Sequence, residues 1–323
     1  MSRRPSSAIS QVAFIIGSRG QDGRLLEKLL RSKGYRLLCI EKAAICAEGV
    51  DWKNLIDITR AEDVFEAVHE LQPDEIYHLA AIHHSSQEGL GEDLKLFRNA
   101  YEVNFFSLLY FLEAIRIHSK KTRLFYAASS HIFGEPPSEV QNEETPISPQ
   151  SVYAMTKADG LSACRLYRKV HQVFASVGIL YNHESRYREE KFLTRKVIRA
   201  VAEIKRGNQE KLVVGDLTAE VDWGYAPDYV EAMHAILAAD QANEFIVATG
   251  TKHTVMEFVE AVFREAGLDW KQYVIENPQV IGRRGPSRIG DSSKLTRVTG
   301  WKPKTSFVEM VRNLLRDEML ERS

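Results

Sequence analysis

Residues 12 to 23 read V-A-F-I-I-G-S-R-G-Q-D-G, an apolar run of strand length that ends in glycines at 17, 20 and 23. Leu25, Leu26, Leu29 and Leu30 follow at helical spacing. A strand that turns through glycine into a helix is half of a βαβ unit, and it constrains the fold more than any other stretch of the chain. In such a unit Gly17 permits the tight turn, Gly20 lets backbone N–H groups approach a pyrophosphate, and Gly23 lets the helix pack against the strand. The helix N-terminus then faces the anion, with Arg19, Gln21 and Asp22 on the same loop. The next strand, Arg36 to Ile40, ends at Glu41, whose carboxylate is placed to accept from the hydroxyls of an adenosine ribose.

Strands and helices alternate from Val12 to about Tyr181, which predicts an α/β fold with a doubly wound parallel sheet. The strand Glu75 to Leu79 ends in Ala80 and Ala81, small residues that leave room beside a cofactor; Asp57 and Ile58 fall near the adenine. A helix around Asn99 to Ser119 leads into the strand Arg123 to Ala127, whose carboxyl end delivers Ser129 and Ser130. Ligands of such sheets bind at the carboxyl ends of strands, and these segments converge there.

Tyr153 and Lys157 are spaced as Y-A-M-T-K, so on a helix they share one face. An ammonium beside a phenol favours the phenolate, and the positive ring of an oxidised nicotinamide favours it further. That lowers a pKa of about 10 towards the range of a general base. An isolated Y-x-x-x-K decorates many helices; after a nucleotide loop and a serine-bearing strand end it describes a hydride-transfer site. A regulatory module that senses the dinucleotide without turnover would have no use for the pair.

The 323 residues carry 44% apolar and 27% charged side chains with a net charge of −1. This is the composition of an ordinary globule with no global field to recruit nucleic acid or an anionic membrane. No apolar stretch reaches the roughly 20 residues that span a bilayer, and the N-terminus lacks the apolar core of a signal peptide. A cytoplasmic enzyme is the expectation. Cys39, Cys46 and Cys164 form no C-x-x-C pair, so neither a disulfide framework nor a zinc site is indicated. His83 and His84 are adjacent and point to different faces of any regular element, which argues against a metal.

After a strand at Val173 to Tyr181 comes the polar stretch Asn182 to Arg188, where substrate recognition is expected to begin. A helix (Arg195 to Arg206), a strand (Leu212 to Val214), a helix (Pro227 to Ala239) and a strand (Glu244 to Thr249) follow, the last rejoining the main sheet. Residues 1–11 read as a loose tail and 12–181 as the dinucleotide-binding and catalytic domain, to which 222–262 return. Residues 182–221 and 263–323 read as a smaller substrate-binding region, with Arg283, Arg284 and Arg288 closing over the substrate.

With these residues placed, the chain resembles the extended short-chain dehydrogenase/reductases, which have the Rossmann fold, and among them the GDP-mannose 4,6-dehydratase family. The resemblance covers nearly the whole chain from Val12. It rests on G-S-R-G-Q-D-G at 17–23, L-Q-P-D-E-I-Y-H-L-A-A at 71–81, G-I-L-Y-N-H-E-S at 178–185, F-L-T-R-K at 192–196, D-W-G-Y-A-P-D-Y-V-E-A-M at 222–233 and W-K-P at 301–303. It implies oxidation of a nucleotide sugar at C4, elimination of water across C5 and C6, and return of hydride to C6. Ser129, His131, Tyr153 and Lys157 are then the catalytic residues, while His83, Ser130, Asn182, Glu184, Arg195, Lys196, Arg283 and Arg288 meet the substrate.

Three departures from the family pattern matter. Its Thr and, two residues later, its Glu are here Ser129 and His131. The family's glutamate removes the C5 proton and helps expel the C6 hydroxyl; an imidazole works as base and then acid near pH 6.5. A reaction that stops at C4 oxidation, epimerisation or 4-keto reduction therefore stays open as the alternative. The arginine before D-W-G is Val221, a loss of about 1.5 to 3 kcal/mol of diphosphate binding unless another cation compensates. The arginine-rich loop after the second strand is short. Glu41 repels a 2′-phosphate and favours NAD, while Lys42 and Arg19 leave NADP open. The short loop also favours a homodimer, built on helices near 99–119 and 153–170.

Overall fold

Val12–Ile16 alternates its side chains between two faces, as a strand must, and both faces are covered: Phe14 and Ile16 enter one buried cluster, Ala13 and Ile15 another. A computed structural model describes residues 10–41, 44–46, 56–83, 93–280 and 287–321, with the side chains of 41, 44–46, 278 and 321 outside the description. Lys42, His84, Arg283 and Arg284 lie outside the described residues, as does the side chain of Glu41.

Seven strands form the main sheet in the order Glu244–Val247, Phe174–Leu180, Arg123–Ser129, Glu75–His78, Val12–Ile16, Arg36–Glu41, Ala44–Cys46. All neighbours are parallel except the last pair. Ile16 lies opposite Ile40 on one side and His78 on the other. The chain therefore leaves Val12–Ile16 towards one edge and later returns to build the other edge. This reversal opens a crevice at the carboxyl ends, where a doubly wound sheet binds its ligand.

Helices cover both faces. Leu108, Phe111, Leu112 and Leu161 pack with Phe14 and Ile16 on one side; Leu26, Leu30, Tyr229, Met233 and Ile236 pack with Ala13 and Ile15 on the other. The helix expected over 99–119 is broken: Leu94–Tyr101 and Ser107–His118 flank a π-helical turn at Glu102–Phe106. The Val152–His171 helix opens at Ser151, whose side chain accepts from Ala154 N at 3.2 Å.

A third cluster, with Val197, Val201, Val262, Phe263 and Leu314, lies beyond the sheet. It joins the helices Leu193–Arg206, Val255–Ala266 and Phe307–Glu321. Leu295 and Trp301 pack instead with the second cluster, beneath the Ala226–Ala238 helix. A three-stranded sheet stitches the parts together: Glu220–Tyr225 runs parallel to Asn182–Glu184 and antiparallel to Lys252–Thr254. Buried Asp222 accepts from the backbone N–H of Thr249 and Gly250 at 3.0 Å and of Gly290 at 3.2 Å, fixing two loops on one carboxylate.

Candidate active site

The glycine turn is packed so tightly that side chains are excluded. Gly17 takes φ +89, and a Cβ there would stand 2.8 Å from Ala80 N; a Cβ on Gly23 would stand 2.3 Å from Gly17 O. Gly20 heads the Gln21–Ser32 helix without side-chain capping, so first-turn N–H groups are presented at the carboxyl end of the central strand. Leu79 N bonds to Ile16 O at 2.9 Å and brings Leu79 and Ala80 against this turn, with Ala81 exposed. The cradle fits a dinucleotide. Asp57 closes a local turn by accepting from Thr59 N at 2.9 Å, and Ile58 packs on the first cluster. Arg19 accepts on its carbonyl from Arg24 Nε at 2.8 Å.

Gln21 and Asp22 turn away from the loop and grip the polar stretch. Gln21 Nε2 donates to His183 O at 2.9 Å, Ser185 Oγ donates to Gln21 Oε1 at 2.9 Å, and Asp22 meets His183 Nε2 at 3.0 Å. The Gln21–Ser32 helix is thereby tied to the Asn182–Glu184 strand.

Across the crevice, Lys157 is buried and donates to Ala127 O at 2.7 Å. Its Nζ lies 5.8 Å from the Tyr153 ring centroid. Ser129 caps the short Ser130–Phe133 turn, its Oγ accepting from His131 N at 3.3 Å, and it also hydrogen bonds to Tyr153. Ser130 is buried in the same turn. Tyr153 departs from expectation: burial pushes its phenol up to about 12, outweighing the lowering by Ser129 and Arg188. Burial likewise pushes Lys157 down to about 7. In the chain alone, desolvation of both groups therefore overrides the stabilisation of a phenolate.

His131 and His83 flank the tyrosine, with ring centroids 6.0 and 4.4 Å from it. Of the other expected substrate residues, Glu184 is buried and accepts from Thr194 Oγ1 at 2.5 Å. Asn182 and Lys196 are half-buried. Arg195 is not aimed at the crevice: its Nη1 meets buried Glu318 at 2.5 Å on the last helix. Arg288 spans back to Gly134, donating to its carbonyl from Nε at 3.1 Å and Nη2 at 2.9 Å, so it braces the turn that carries His131. Val221 sits half-buried against the third cluster.

Three residues went unread in the sequence. Asn104, fully buried in the π-helical turn, accepts from Ile82 N at 2.7 Å and donates to Thr156 Oγ1 at 3.0 Å, tying its turn to Ile82 and to the Val152–His171 helix. Arg188 stands 3.8 Å over the Phe192 ring and acts electrostatically on Tyr153, Asp22 and His83. Lys191 donates to His83 O at 3.0 Å. Among the described residues no group of three or more His, Cys, Asp or Glu could hold a metal ion.

The GDP-mannose 4,6 dehydratase family model matches residues 14–314. The chain belongs to this family. GDP-mannose 4,6 dehydratase 2 of Arabidopsis thaliana is 36% identical over 96% of this chain and 87% of its own length. The GDP-mannose 4,6-dehydratase of Sinorhizobium fredii (strain HH103) is 33% identical over 96% and 97%. Among solved structures, the dTDP-glucose 4,6-dehydratase of Bacillus anthracis in complex with NAD superposes with TM-score 0.79 at 18% identity, covering 97% of each chain. RMD from Pseudomonas aeruginosa complexed with NADPH gives TM-score 0.80 at 20% identity over 96% of this chain and 100% of that one. These likenesses fix the fold as that of an extended short-chain dehydrogenase/reductase. Membership of the GDP-mannose 4,6-dehydratase family makes the chain an enzyme of the dehydratase type.

Proposed function

We propose that the chain converts a GDP-linked hexose to its 4-keto-6-deoxy product, oxidising C4, removing water across C5 and C6 and reducing C6. The observation that carries this reading is the convergence of Ser129, His131, Tyr153 and Lys157 on the crevice beside the Gly17–Gly23 turn. A nicotinamide dinucleotide, NAD in preference to NADP, would be held by that turn and supply the hydride acceptor for C4 and the donor for C6. Tyr153 takes the C4 hydroxyl proton. Ser129 steadies the phenolate by hydrogen bonding, and a bound oxidised nicotinamide would supply positive charge that offsets the burial holding the phenol protonated. His131 removes the C5 proton once the C4 ketone has made it acidic.

The same reading assigns Asn182, Glu184, Ser130 and Lys196 to the sugar and diphosphate. It leaves Arg195, through Glu318, and Arg288, through Gly134, as braces of the walls. Residues 12–181 would form the catalytic half, and the third cluster the floor of the substrate half. Exposed Phe106, Ile117, Met155, Leu166 and Val170 on the Glu102–Phe106, Ser107–His118 and Val152–His171 segments support a homodimer through these helices. Buried Cys164, a free thiol, suits a reducing, cytoplasmic setting.

Mass spectrometry of GDP-mannose incubated with the protein tests the reading. Loss of one water from the sugar nucleotide is expected; loss of two hydrogens alone, or inversion without mass change, would replace it by a dehydrogenase or epimerase.

A further inference from the structure

Two donors of Arg288, Nε at 3.1 Å and Nη2 at 2.9 Å, converge on a single acceptor, the carbonyl oxygen of Gly134. Gly134 closes the Ser130–Phe133 turn, and its own N–H donates to His131 O at 3.2 Å. The guanidinium therefore holds the residue that ties off the backbone of His131. Gly134 has little freedom to drift: it takes φ +59, and a Cβ there would collide with Ser148 O.

The other end of the strut is fixed as well. Ile289–Gly290 pairs in parallel with Val140–Gln141, Asp291 N donates to Gln141 O at 2.8 Å, and Gly290 N donates to buried Asp222 at 3.2 Å. A line of contacts thus runs from Asp222 through Gly290 and Arg288 to Gly134 and His131. The other catalytic groups are held differently: Ser129 ends a strand of the main sheet, opposite Leu180 in register, and Tyr153 stands on the Val152–His171 helix. His131 alone rides on the turn, between Ser129 Oγ, which accepts from its N–H at 3.3 Å, and Gly134. The turn has its own anchors in buried Ile132 and Phe133 and in the 2.9 Å bond from Ser148 N to Ile132 O. It can fold without Arg288; what the guanidinium adds is aim.

Resting on the function proposed above, we infer that Arg288 is a positioning residue for the elimination: by fixing Gly134 it aims His131 at C5, and it does so without meeting the phosphates of the sugar nucleotide. A base on a turn must be held within a fraction of an ångström of its proton, and two parallel donors on one carbonyl restrict the turn more than one donor can. Oxidation at C4 depends on Tyr153 and Ser129 and is independent of the strut. The C5 step depends on it.

Arg288→Ala and Arg288→Lys test this with GDP-mannose in deuterated water. In Arg288→Ala the reduction of bound cofactor and the KM for GDP-mannose should stay within a few-fold of the unmodified protein. Deuterium entry at C5 and loss of water should fall together by about 100-fold, the cost of setting a catalytic group about 1 Å out of place. A lysine can put one donor on the Gly134 carbonyl where arginine puts two, so Arg288→Lys should recover part of that loss. In a His131→Ala background Arg288→Ala should cost little more, because a residue that acts through another is not additive with it. The His131 ring signal in proton NMR of the substrate-free protein, assigned by its absence from His131→Ala, should move in Arg288→Ala. Elimination within a few-fold of the unmodified rate in Arg288→Ala would overturn the inference, as would additive losses in the double variant. A parallel fall of oxidation and elimination with a raised KM would overturn it too, since that is the signature of a phosphate ligand. If Arg288→Ala does not fold, Arg288→Lys and its double variant carry the same comparison. If the unmodified protein reduces no cofactor and loses no water with GDP-mannose, the functional reading fails, while the NMR shift still reports whether Arg288 sets His131.

Discussion

His183 Nε2 lies 3.0 Å from both carboxylate oxygens of Asp22, while its Nδ1 lies 2.6 Å from Tyr181 O. Carboxylate and carbonyl only accept, so both ring nitrogens must donate and the ring is an imidazolium. Burial opposes the charge of each partner, yet their mutual attraction and hydrogen bonding win: the His183 pKa is raised and the Asp22 pKa lowered. This ion pair latches the glycine turn to the Asn182–Glu184 strand.

The latch gives stability a definite pH dependence. The folded pKa of His183 is above its ordinary 6.5, so its contribution is complete below that value and is lost as pH climbs through the raised one. The folded pKa of Asp22 is below its ordinary 3.8, so its contribution is present above that value and lost as pH falls through the lowered one. Between these limits His183→Gln should cost about 1 to 3 kcal/mol of unfolding free energy. Denaturant titrations near pH 6 and well into the alkaline range should show the cost shrinking at the higher pH. An identical cost at both would mean that the ring is neutral throughout.

Tyr153→Phe removes the ionisable oxygen and leaves the ring to pack. Reduction of bound cofactor by GDP-mannose should slow by about 10²- to 10⁴-fold, the usual worth of a general base, with dinucleotide affinity unchanged. Lys157→Ala should impair both, since it also opens a hole at the Ala127 carbonyl. Normal single-turnover reduction in Tyr153→Phe would displace the tyrosine from the mechanism.

Glu41 closes the strand beside the glycine turn, and a carboxylate there repels a ribose phosphate. Calorimetry should find NAD bound more tightly than NADP, and Glu41→Ala should narrow the difference, by a few kcal/mol at most. Tighter NADP binding to the unmodified protein would assign the ribose end to Arg19 and Lys42 instead.

The sheet and the shared helical face of Tyr153 and Lys157 were legible because local patterns encode them: apolar runs broken by Gly17, Gly20 and Gly23, and a tyrosine and lysine one helical turn apart. Asn104 was not, since a π-helical turn leaves no mark in side-chain spacing and an asparagine between Val103 and Phe105 reads as a solvated position. Arg195 looked like a cation for the substrate because its partner, Glu318, is supplied by the last helix, and such long-range pairing has no local signal. The depressed Lys157 and elevated Tyr153 were equally hidden. Their neighbours are readable in the sequence, but the dryness of the space around them comes from packing.

His131 decides whether the reaction passes beyond the ketone. Oxidation at C4 makes the C5 hydrogen acidic, but a base must still reach it, and His131 stands edge to face with Tyr153 at 6.0 Å. His131→Ala should therefore leave cofactor reduction largely intact while deuterium entry at C5 and loss of water fall together, by about 10²-fold or more. His131→Glu should sustain elimination, because a carboxylate can serve C5 and the C6 oxygen from one side. Full C5 exchange in His131→Ala would show that another group is the base and would remove His131 from the elimination.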